Sequence, residues 1–406
     1  MRILFTTPVL EHPAAGGPQL RIENSIKALS GICEIDIIYR ESAPIEAIEK
    51  TNNYFRNFTT EYHVLTRRNR KGFINNCASY IEKVLNYFFD IRTAKQARYL
   101  IDHIDRRKID IAWFGYGNIS YPLIRHIKAQ RPKLKVVCDT DSVWSRYILR
   151  ELPYASILRK LTIWYSGRKK EAQERAWVNL CEVTTAVSEV DAEYYRSIAD
   201  DPDRVHLFSN VIDTLSYIQL STPPINFKSP SIYLAGSFFH HNSPMNSATR
   251  WVLKDVLPRV LETHPKVHFY IVGRGSELGF GHLNSQNITV TGKLETVLPY
   301  LCNTNVALVP LKFESGTRFK ILEAGACKIP IVSTTLGAEG IPVIDNEHIL
   351  IADEAEDFAN AIAKLLDDTS LANRLAQNCH NLVNERYSIQ SLTNEAKQIL
   401  GYLNHD

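Results

Sequence analysis

The sequence predicts an α/β protein of two domains, each built on a parallel sheet covered by helices. Short apolar runs alternate with helical stretches along the whole chain, which is typical of strands joined by crossover helices. A chain of 406 residues has room for two such domains. The segment 210–230 is rich in Ser, Thr and Pro and has weak periodicity, so we expect the domain boundary there, with 1–209 before it and 210–386 after it.

The strand candidates fall into two series of similar size, one on each side of this boundary. The first series is Ile3–Thr6, Glu34–Tyr39, Tyr62–Leu65, Ile109–Phe114, Lys135–Asp139 and Glu182–Ala186. The second series is Ser231–Ala235, Val267–Val272, Ile288–Thr291, Val306–Val309, Ile329–Ser333 and His348–Ile351. Two doubly wound sheets are therefore expected.

Composition excludes several classes of protein. A formal net charge of +3 is too small to indicate nucleic acid binding, and 45% hydrophobic with 22% charged residues is typical of a soluble globule. The seven cysteines are scattered without a CxxC pair, which favours neither a disulfide framework nor zinc and fits a reducing cytoplasm. The apolar run at Ile3 is too short for a signal peptide, and no run is long enough to span a membrane.

The stretch Glu314–Ala324 is where we expect the chemistry, because a strand ends there and a helix begins near Thr317. Gly316 lets the backbone approach a ligand, and the helix start presents unpaired N–H groups that suit an anion. Lys320 and Glu323 share one helix face. A nucleoside diphosphate held by Lys320 would place its ribose beside Glu323; the alternative is an exposed helix start whose charges are only solvated.

A second candidate segment follows the first strand. Gly16 and Gly17 permit close approach of a ligand, and Arg21, one turn into the next helix, either reaches an anion or tethers the loop. Taken alone, the double glycine favours a tight turn over a ligand site.

Two carboxylates, Asp139 and Asp141, stand at the end of a Val-rich strand, where they are expected to orient sugar hydroxyls. A metal would need further ligands, and Asp141 or Ser142 is also suited to cap the next helix. In the second half, two glycine-containing segments follow strands and suit the walls of a pocket for a planar base, Gly273-Arg274-Gly275 and Gly292-Lys293-Leu294.

With these motifs in place, the chain resembles the retaining nucleotide-sugar glycosyltransferases of family 4, also called group 1. The resemblance is carried by Gly316–Ala324, read GTRFKILEA, and by Pro330–Ile341, read PIVSTTLGAEGI. Further matches in family order are the early Gly-Gly with its arginine, Val187–Asp191, Phe208–Asp213, and Gly236-Ser-Phe with Pro244-Met-Asn246.

The resemblance implies a GT-B fold, two Rossmann-like domains facing each other across a cleft, with a C-terminal helix, 387–406, returning to the first domain. It implies that Glu323 holds the ribose and that Lys320 and Arg318 act on the leaving group. The remaining implied contacts are the diphosphate at Gly16, Gly17, Gly316, Thr317, Arg318, Phe319 and Lys320, the base at Gly273, Arg274, Gly292, Lys293 and Leu294, and the acceptor side at Asp139, Asp141 and Arg146.

The sequence departs from the family pattern in three places. The first acid of the family's pair falls on Ser315, so either Glu314 shifts inward or backbone amides replace it. Gly236–Asn242 lacks the usual Arg/Lys pair on the diphosphate, for which Arg318 and Lys320 are expected to compensate. Asp141 stands where many members carry a histidine near the donor sugar.

The function expected from the resemblance is retaining transfer of a hexose, with UDP-glucose as the favoured donor, without metal or other cofactor. The acceptor would be a saccharide or a lipid-linked saccharide in envelope or exopolysaccharide synthesis, and no nucleic acid partner is expected. Two basic and aromatic clusters, Arg67–Lys71 and Arg159–Lys170, suit peripheral contact with the cytoplasmic membrane face, unless they are simply solvated. The alternatives are a UDP-sugar 2-epimerase of the same fold and a non-catalytic nucleotide-sugar-binding subunit.

Overall fold

The computed structural model describes residues 1–14, 16–40, 45–65, 91–217, 221–238, 243–314 and 318–405. By internal contacts the chain divides into two units. The first unit is Met1–Ser145, Tyr165–Phe208 and Leu392–Asp406, and the second is Arg146–Trp164 with Ser209–Ser391. The basic run 67–71 lies outside the described residues.

The described strands form two parallel sheets, one in each unit. The strands of the first sheet are β1 (Arg2–Thr7), β2 (Glu34–Tyr39), β3 (Glu61–Val64), β4 (Ile111–Gly115), β5 (Lys135–Asp139), β6 (Val183–Ala186) and β7 (Val205–Leu207). The strands of the second sheet are β8 (Ser231–Ala235), β9 (His268–Val272), β10 (Ile288–Val290), β11 (Val306–Val309), β12 (Ile331–Ser333) and β13 (Leu350–Ile351). Their spatial orders are β3-β2-β1-β4-β5-β6-β7 and β10-β9-β8-β11-β12-β13.

Helices connect successive strands, as parallel pairing requires. In the first half of the chain they are α1 (Gly17–Ser30), α2 (Ile45–Phe55), α3 (Ile91–Arg107), α4 (Tyr121–Gln130), α5 (Trp144–Leu149), α6 (Ile157–Leu180) and α7 (Glu189–Ile198). In the second half they are α8 (Pro244–Trp251), α9 (Leu257–Thr263), α10 (Ser276–Phe280), α11 (Leu298–Leu301), α12 (Phe319–Ala326), α13 (Thr335–Ala338), α14 (Ala355–Asp367), α15 (Thr369–Arg386) and α16 (Ile389–His405). A π-helical turn, Val252–Val256, joins α8 to α9.

Both sheets reverse their winding direction at the first strand of the unit. In the first unit the chain moves outward from β1 to β3 and then restarts on the other side of β1 with β4. In the second unit β8 is followed by β9 and β10 on one side and by β11 to β13 on the other. Ligands of doubly wound sheets bind beyond the carboxyl ends of the strands at such switch points. The loops after β1, β4, β8 and β11 are therefore the places to look for a site.

The strand candidates read from the sequence each coincide with an observed strand to within two residues at either end, and the C-terminal helix α16 packs in the first unit from Leu392 onward. The short strand β7 was not predicted. Within the described ranges, every helix is too short or too polar to cross a bilayer.

The domain assignment needs one correction, because Arg146–Trp164 packs in the second unit rather than the first. Arg150 forms a bidentate ion pair with Glu339, at 2.6 and 2.8 Å. Tyr154 lies against Phe313 with ring centroids 5.3 Å apart. These contacts join positions more than 150 residues apart in the sequence, so no local sequence pattern predicts them.

Candidate active site

The start of α12 lies at the switch point of the second sheet, in the connection that leaves β11. Arg318 is its N-cap residue, with extended backbone, and no side chain among the described residues caps the helix. The Ile321 amide donates to the Arg318 carbonyl at 3.0 Å. The amides of Phe319 and Lys320 are therefore the ones available to an external acceptor, and the helix dipole adds partial positive charge there. Gly316 and Thr317, which were assigned to the same anion site, lie outside the described residues.

Lys320 and Glu323 occupy the first turns of α12, and both are half-buried. Among the described residues, none forms an ion pair or hydrogen bond with the Lys320 ammonium. Tyr217 donates a hydrogen bond to Glu323 Oε1 at 3.1 Å, and no described residue donates to Oε2. Burial raises the pKa of the Glu323 carboxyl, while the Tyr217 hydrogen bond and the Lys320 charge oppose that shift. The site thus combines an unengaged cation with a carboxylate that retains a free acceptor atom.

Arg318 is one of the residues that the sequence analysis assigns to the diphosphate. Its side chain is only 3% exposed, with Nε 3.7 Å from Glu314 Oε2 and an Nη group 3.4 Å from the Leu336 carbonyl. Arg318 thus lies against Glu314 within the unit, where it can position the segment before α12. Its contact with the diphosphate stays a prediction, as does the choice between Glu314 and backbone amides for the missing first acid.

Arg150, which is paired with Glu339, also contacts the segment that leads into α12. The sequence analysis gave neither of these two residues a role. Besides its pair with Glu339, Arg150 donates to the backbone carbonyl of Glu314 at 2.7 Å. A signal for Glu339 was present in the GAEG part of the family motif, whereas Arg150 lies in the segment assigned to the wrong domain. Together they fix the backbone that leads into α12.

The two segments predicted to frame the base lie side by side at the ends of β9 and β10. The Gly273 amide donates to the Gly292 carbonyl at 3.2 Å, and the Phe238 amide donates to the Arg274 carbonyl at 2.9 Å. Gly273 has φ of +125°, and a Cβ on it would lie 2.1 Å from the carbonyl oxygen of Gly236. Only glycine fits where these chains approach each other.

The other residues assigned to the base site belong to the same two segments. Arg274 and Lys293 are exposed, and Leu294 is half-buried. The structure thus places the two segments next to each other, and base binding by Gly273, Arg274, Gly292, Lys293 and Leu294 stays a prediction.

The corresponding position in the first unit is the start of α1, which follows β1 at the switch point of that sheet. Gly16 is extended, and a Cβ there would meet nothing closer than 3.6 Å, so packing within the protein does not require a glycine. Phe319 in the second unit and Gly16 and Gly17 here stay predictions for phosphate contacts.

Arg21 and Asp139 form a buried ion pair rather than part of a ligand site. Arg21 also donates to the Phe208 carbonyl at 3.1 Å, and Asp139 accepts from Thr185 at 2.9 Å and from the Trp113 indole at 3.3 Å. Asp139 is 0% exposed and its oxygens are already used. The prediction that it contacts the acceptor is therefore corrected, and Arg21 is the loop tether that the sequence offered as one of two possibilities.

Asp141 is held at the end of β5 by the side-chain amide of Asn118 and by the indole of Trp144 at 3.0 Å. Burial raises the pKa of its carboxyl, against the hydrogen bonds from these two groups. Lys170, which the sequence analysis placed in the basic cluster suited to membrane contact, lies 5.1 Å from the Trp144 ring centroid and donates to the Asn118 carbonyl at 3.1 Å. Burial lowers the pKa of this ammonium. A polar site of the first unit thus contains Asp141 without Asp139, and Arg146 belongs to the second unit.

Among the described residues, one group of metal-ligand types comes together, Glu61, His63 and His103, with donor atoms within 4.8 Å of one another. Arg106 and Arg107 lie 3.2 and 3.3 Å from the Glu61 carboxylate, so guanidinium groups already occupy the position that a cation would take. The group lies at the amino end of β3, whereas Asp141 follows the carboxyl end of β5. The two are therefore at opposite ends of the parallel strands. We interpret the group as a salt-bridge network.

Residues 229–368 match the family model described as glycosyl transferases group 1. The lipopolysaccharide core biosynthesis glycosyltransferase LpsE of Rhizobium meliloti strain 1021 is 28% identical over 144 residues, which is 34% of this chain and 42% of LpsE. The alignment thus spans less than half of that relative.

Solved structures match over the full length of both chains. Anabaena HepE in complex with UDP-glucose has a TM-score of 0.63 at 14% identity, covering 100% of each chain. Sucrose-phosphate synthase of Thermosynechococcus elongatus has a TM-score of 0.71 at 15% identity, also covering 100% of each chain. At such identities these structures show the fold. Taken with the sheet order, the structural matches show a GT-B fold of two Rossmann-like domains, and residues 229–368 are similar to the group 1 glycosyltransferases.

Proposed function

We propose that this protein transfers a hexose from a nucleoside diphosphate sugar, with UDP-glucose as the first donor to test, and that the product keeps the donor's anomeric configuration. The observation that carries the proposal is the start of α12 at a switch point, where the amides of Phe319 and Lys320, the Lys320 ammonium and Glu323 Oε2 have no partner among the described residues. The structurally similar HepE has been solved in complex with UDP, with UDP and glucose, and with UDP-glucose, which supports the choice of donor.

Lys320 and the first amides of α12 would hold the diphosphate, and Glu323 would accept hydrogen bonds from the ribose hydroxyls. The bond between the sugar C1 and the diphosphate oxygen breaks as the acceptor oxygen forms its bond to C1 on the same face. The acceptor proton passes to the leaving phosphate. The protein's contribution is to neutralise charge that grows on the departing diphosphate, in a site arranged before the reaction begins. Neither a metal nor another cofactor takes part in this scheme.

The acceptor is proposed to be a saccharide or a lipid-linked saccharide of an envelope polysaccharide or exopolysaccharide. The name of LpsE, a lipopolysaccharide core enzyme, supports a role of this kind. Asp141, held by Asn118 and Trp144, is the proposed acceptor-binding carboxylate of the first unit. We also propose a cytoplasmic location with peripheral membrane contact, which agrees with the described cysteines being free thiols.

Release of UDP from intact UDP-glucose, with and without an oligosaccharide acceptor, tests the proposal. Faster release with acceptor, together with an α-configured product in the NMR spectrum, supports retaining transfer. Conversion of the sugar to its 2-epimer without acceptor would indicate the epimerase instead. Tight binding of UDP-glucose with no turnover under any condition would indicate a non-catalytic subunit.

A further inference from the structure

The first two turns of α6 carry large apolar side chains in solvent. Ile157, Leu158 and Leu161 are 84%, 87% and 74% exposed, and Trp164 and Tyr165 are 52% and 66% exposed. Single exposed apolar residues are common, but a contiguous group of five marks a surface that binds something.

These five side chains share one face of the helix. At about 100° per residue they cover an arc of roughly 120°. The buried stripe of the same helix, which contains Ile163, Trp177 and Val178, lies on the other side. The helix thus has one apolar face packed in the protein and a second, short apolar face exposed at its start.

Basic residues flank the exposed face. Lys160 lies about 40° beyond Trp164 on one side, and Lys169 lies about 20° beyond Leu158 on the other, at the same rise of about 100° per residue. Both lysines are exposed, and within the described residues neither forms an ion pair. Residues 157–170 include no Asp or Glu. Arg159 and Arg168, by contrast, are paired with Glu151 and Glu171, each at 2.7 Å.

We propose that the first turns of α6, residues 157–165, dock on the surface of an anionic lipid bilayer. Leucine and isoleucine would enter the acyl boundary, Trp164 and Tyr165 would lie at the headgroup level, and Lys160 and Lys169 would reach anionic headgroups. A symmetric contact between two copies is less favourable, because the same unpaired lysines would meet across it. The surface shares no residue with the nucleotide site, so its test is independent of the proposed reaction.

Flotation of the full chain with vesicles tests this docking surface. We expect the protein to float with vesicles that contain phosphatidylglycerol and to remain mostly unbound with phosphatidylcholine alone. The double variant Leu158→Glu/Leu161→Glu should lower partitioning by at least about tenfold, because each change removes a buried leucine from the interface. Ile225→Glu is the matched control, since Ile225 is 93% exposed and lies outside α6, and it should float like the unaltered protein.

Fluorescence of Trp164 gives a second readout on the unaltered surface. Addition of anionic vesicles should shift emission to shorter wavelength, and the shift should be absent in Trp164→Phe. Three results would overturn the proposal: no flotation with anionic vesicles, equal flotation of the double variant, or a stable dimer in light scattering that the double variant loses. Turnover of UDP-glucose by each variant separates failure of docking from failure of the proposed reaction.

Discussion

Replacing Lys320 with alanine tests the electrostatic part of the proposed reaction. The ammonium stands on the first turn of α12 and is not engaged by any described residue, so a bound diphosphate would be its main partner. Two unit charges about 4 Å apart interact by about 4 kcal/mol at an effective dielectric constant of about 20. Loss of one such donor from a developing oxyanion typically lowers kcat by about 10²–10³. Because Lys320 is half exposed, we expect about 100-fold.

The same substitution should leave the fold intact. Lys320 has no structural partner among the described residues, and alanine is the better helix former, so the free energy of unfolding should change by less than about 0.5 kcal/mol. The matched control is Lys364→Ala, which removes an exposed lysine from α14.

The assay is the initial rate of UDP release at saturating UDP-glucose, with donor affinity measured by calorimetry. The control should keep the full rate. A kcat for Lys320→Ala within threefold of the unaltered protein, at equal stability, would refute the role of this ammonium in departure of the diphosphate.

Three further substitutions test other parts of the site. Glu323→Gln should weaken UDP-glucose binding by about tenfold or more in calorimetry, because a hydrogen bond to a carboxylate contributes roughly 1.5–3 kcal/mol. Since burial raises the pKa of this carboxyl, its ionisation penalises the fold above the unfolded-state pKa, so the variant should also be more stable at neutral pH, and the gain should vanish in acid. Gly273→Ala should cost at least about 3 kcal/mol in urea unfolding, from backbone strain and the clash with Gly236. Asp139→Ala should cost about 3–5 kcal/mol, because it leaves Arg21 buried without its partner.

Each of these substitutions also has an outcome that contradicts its reasoning. Unchanged donor affinity in Glu323→Gln would remove the ribose assignment, and a loss of stability at neutral pH would contradict the burial argument. Normal stability of Gly273→Ala would mean that the chains at the ends of β8 and β9 are not as close as described. Loss of turnover by Asp139→Ala without loss of stability would restore Asp139 to the acceptor site.

The sheets were predictable because buried parallel strands read as short apolar runs between helices. The strand β7 was missed because His206 interrupts Val205–Leu207, so the segment does not form a continuous apolar run. The packing of Arg146–Trp164 in the second unit was not predicted for a different reason. It depends on the pairing of Arg150 with Glu339, which are 189 positions apart, and periodicity contains no information about such contacts.

Some features of the candidate site could likewise be predicted from the sequence, and others could not. The spacing of Lys320 and Glu323 on one helix face follows from the helix repeat, and the contact between the loops at Gly273 and Gly292 follows from adjacent strand ends. The sequence could not show which charges the protein uses for itself. Asp139 has the residue type and loop position of a ligand-binding group, and only the packing shows that it is buried and already paired with Arg21.

A crystal structure of the protein with intact UDP-glucose is the most direct test of the central claim, that the start of α12 binds a diphosphate. We expect the diphosphate at the first amides of α12 within hydrogen-bonding distance of the Lys320 ammonium, and the ribose hydroxyls on Glu323 Oε2. A nucleotide bound elsewhere in the protein, with neither Lys320 nor Glu323 in contact with it, would contradict the account.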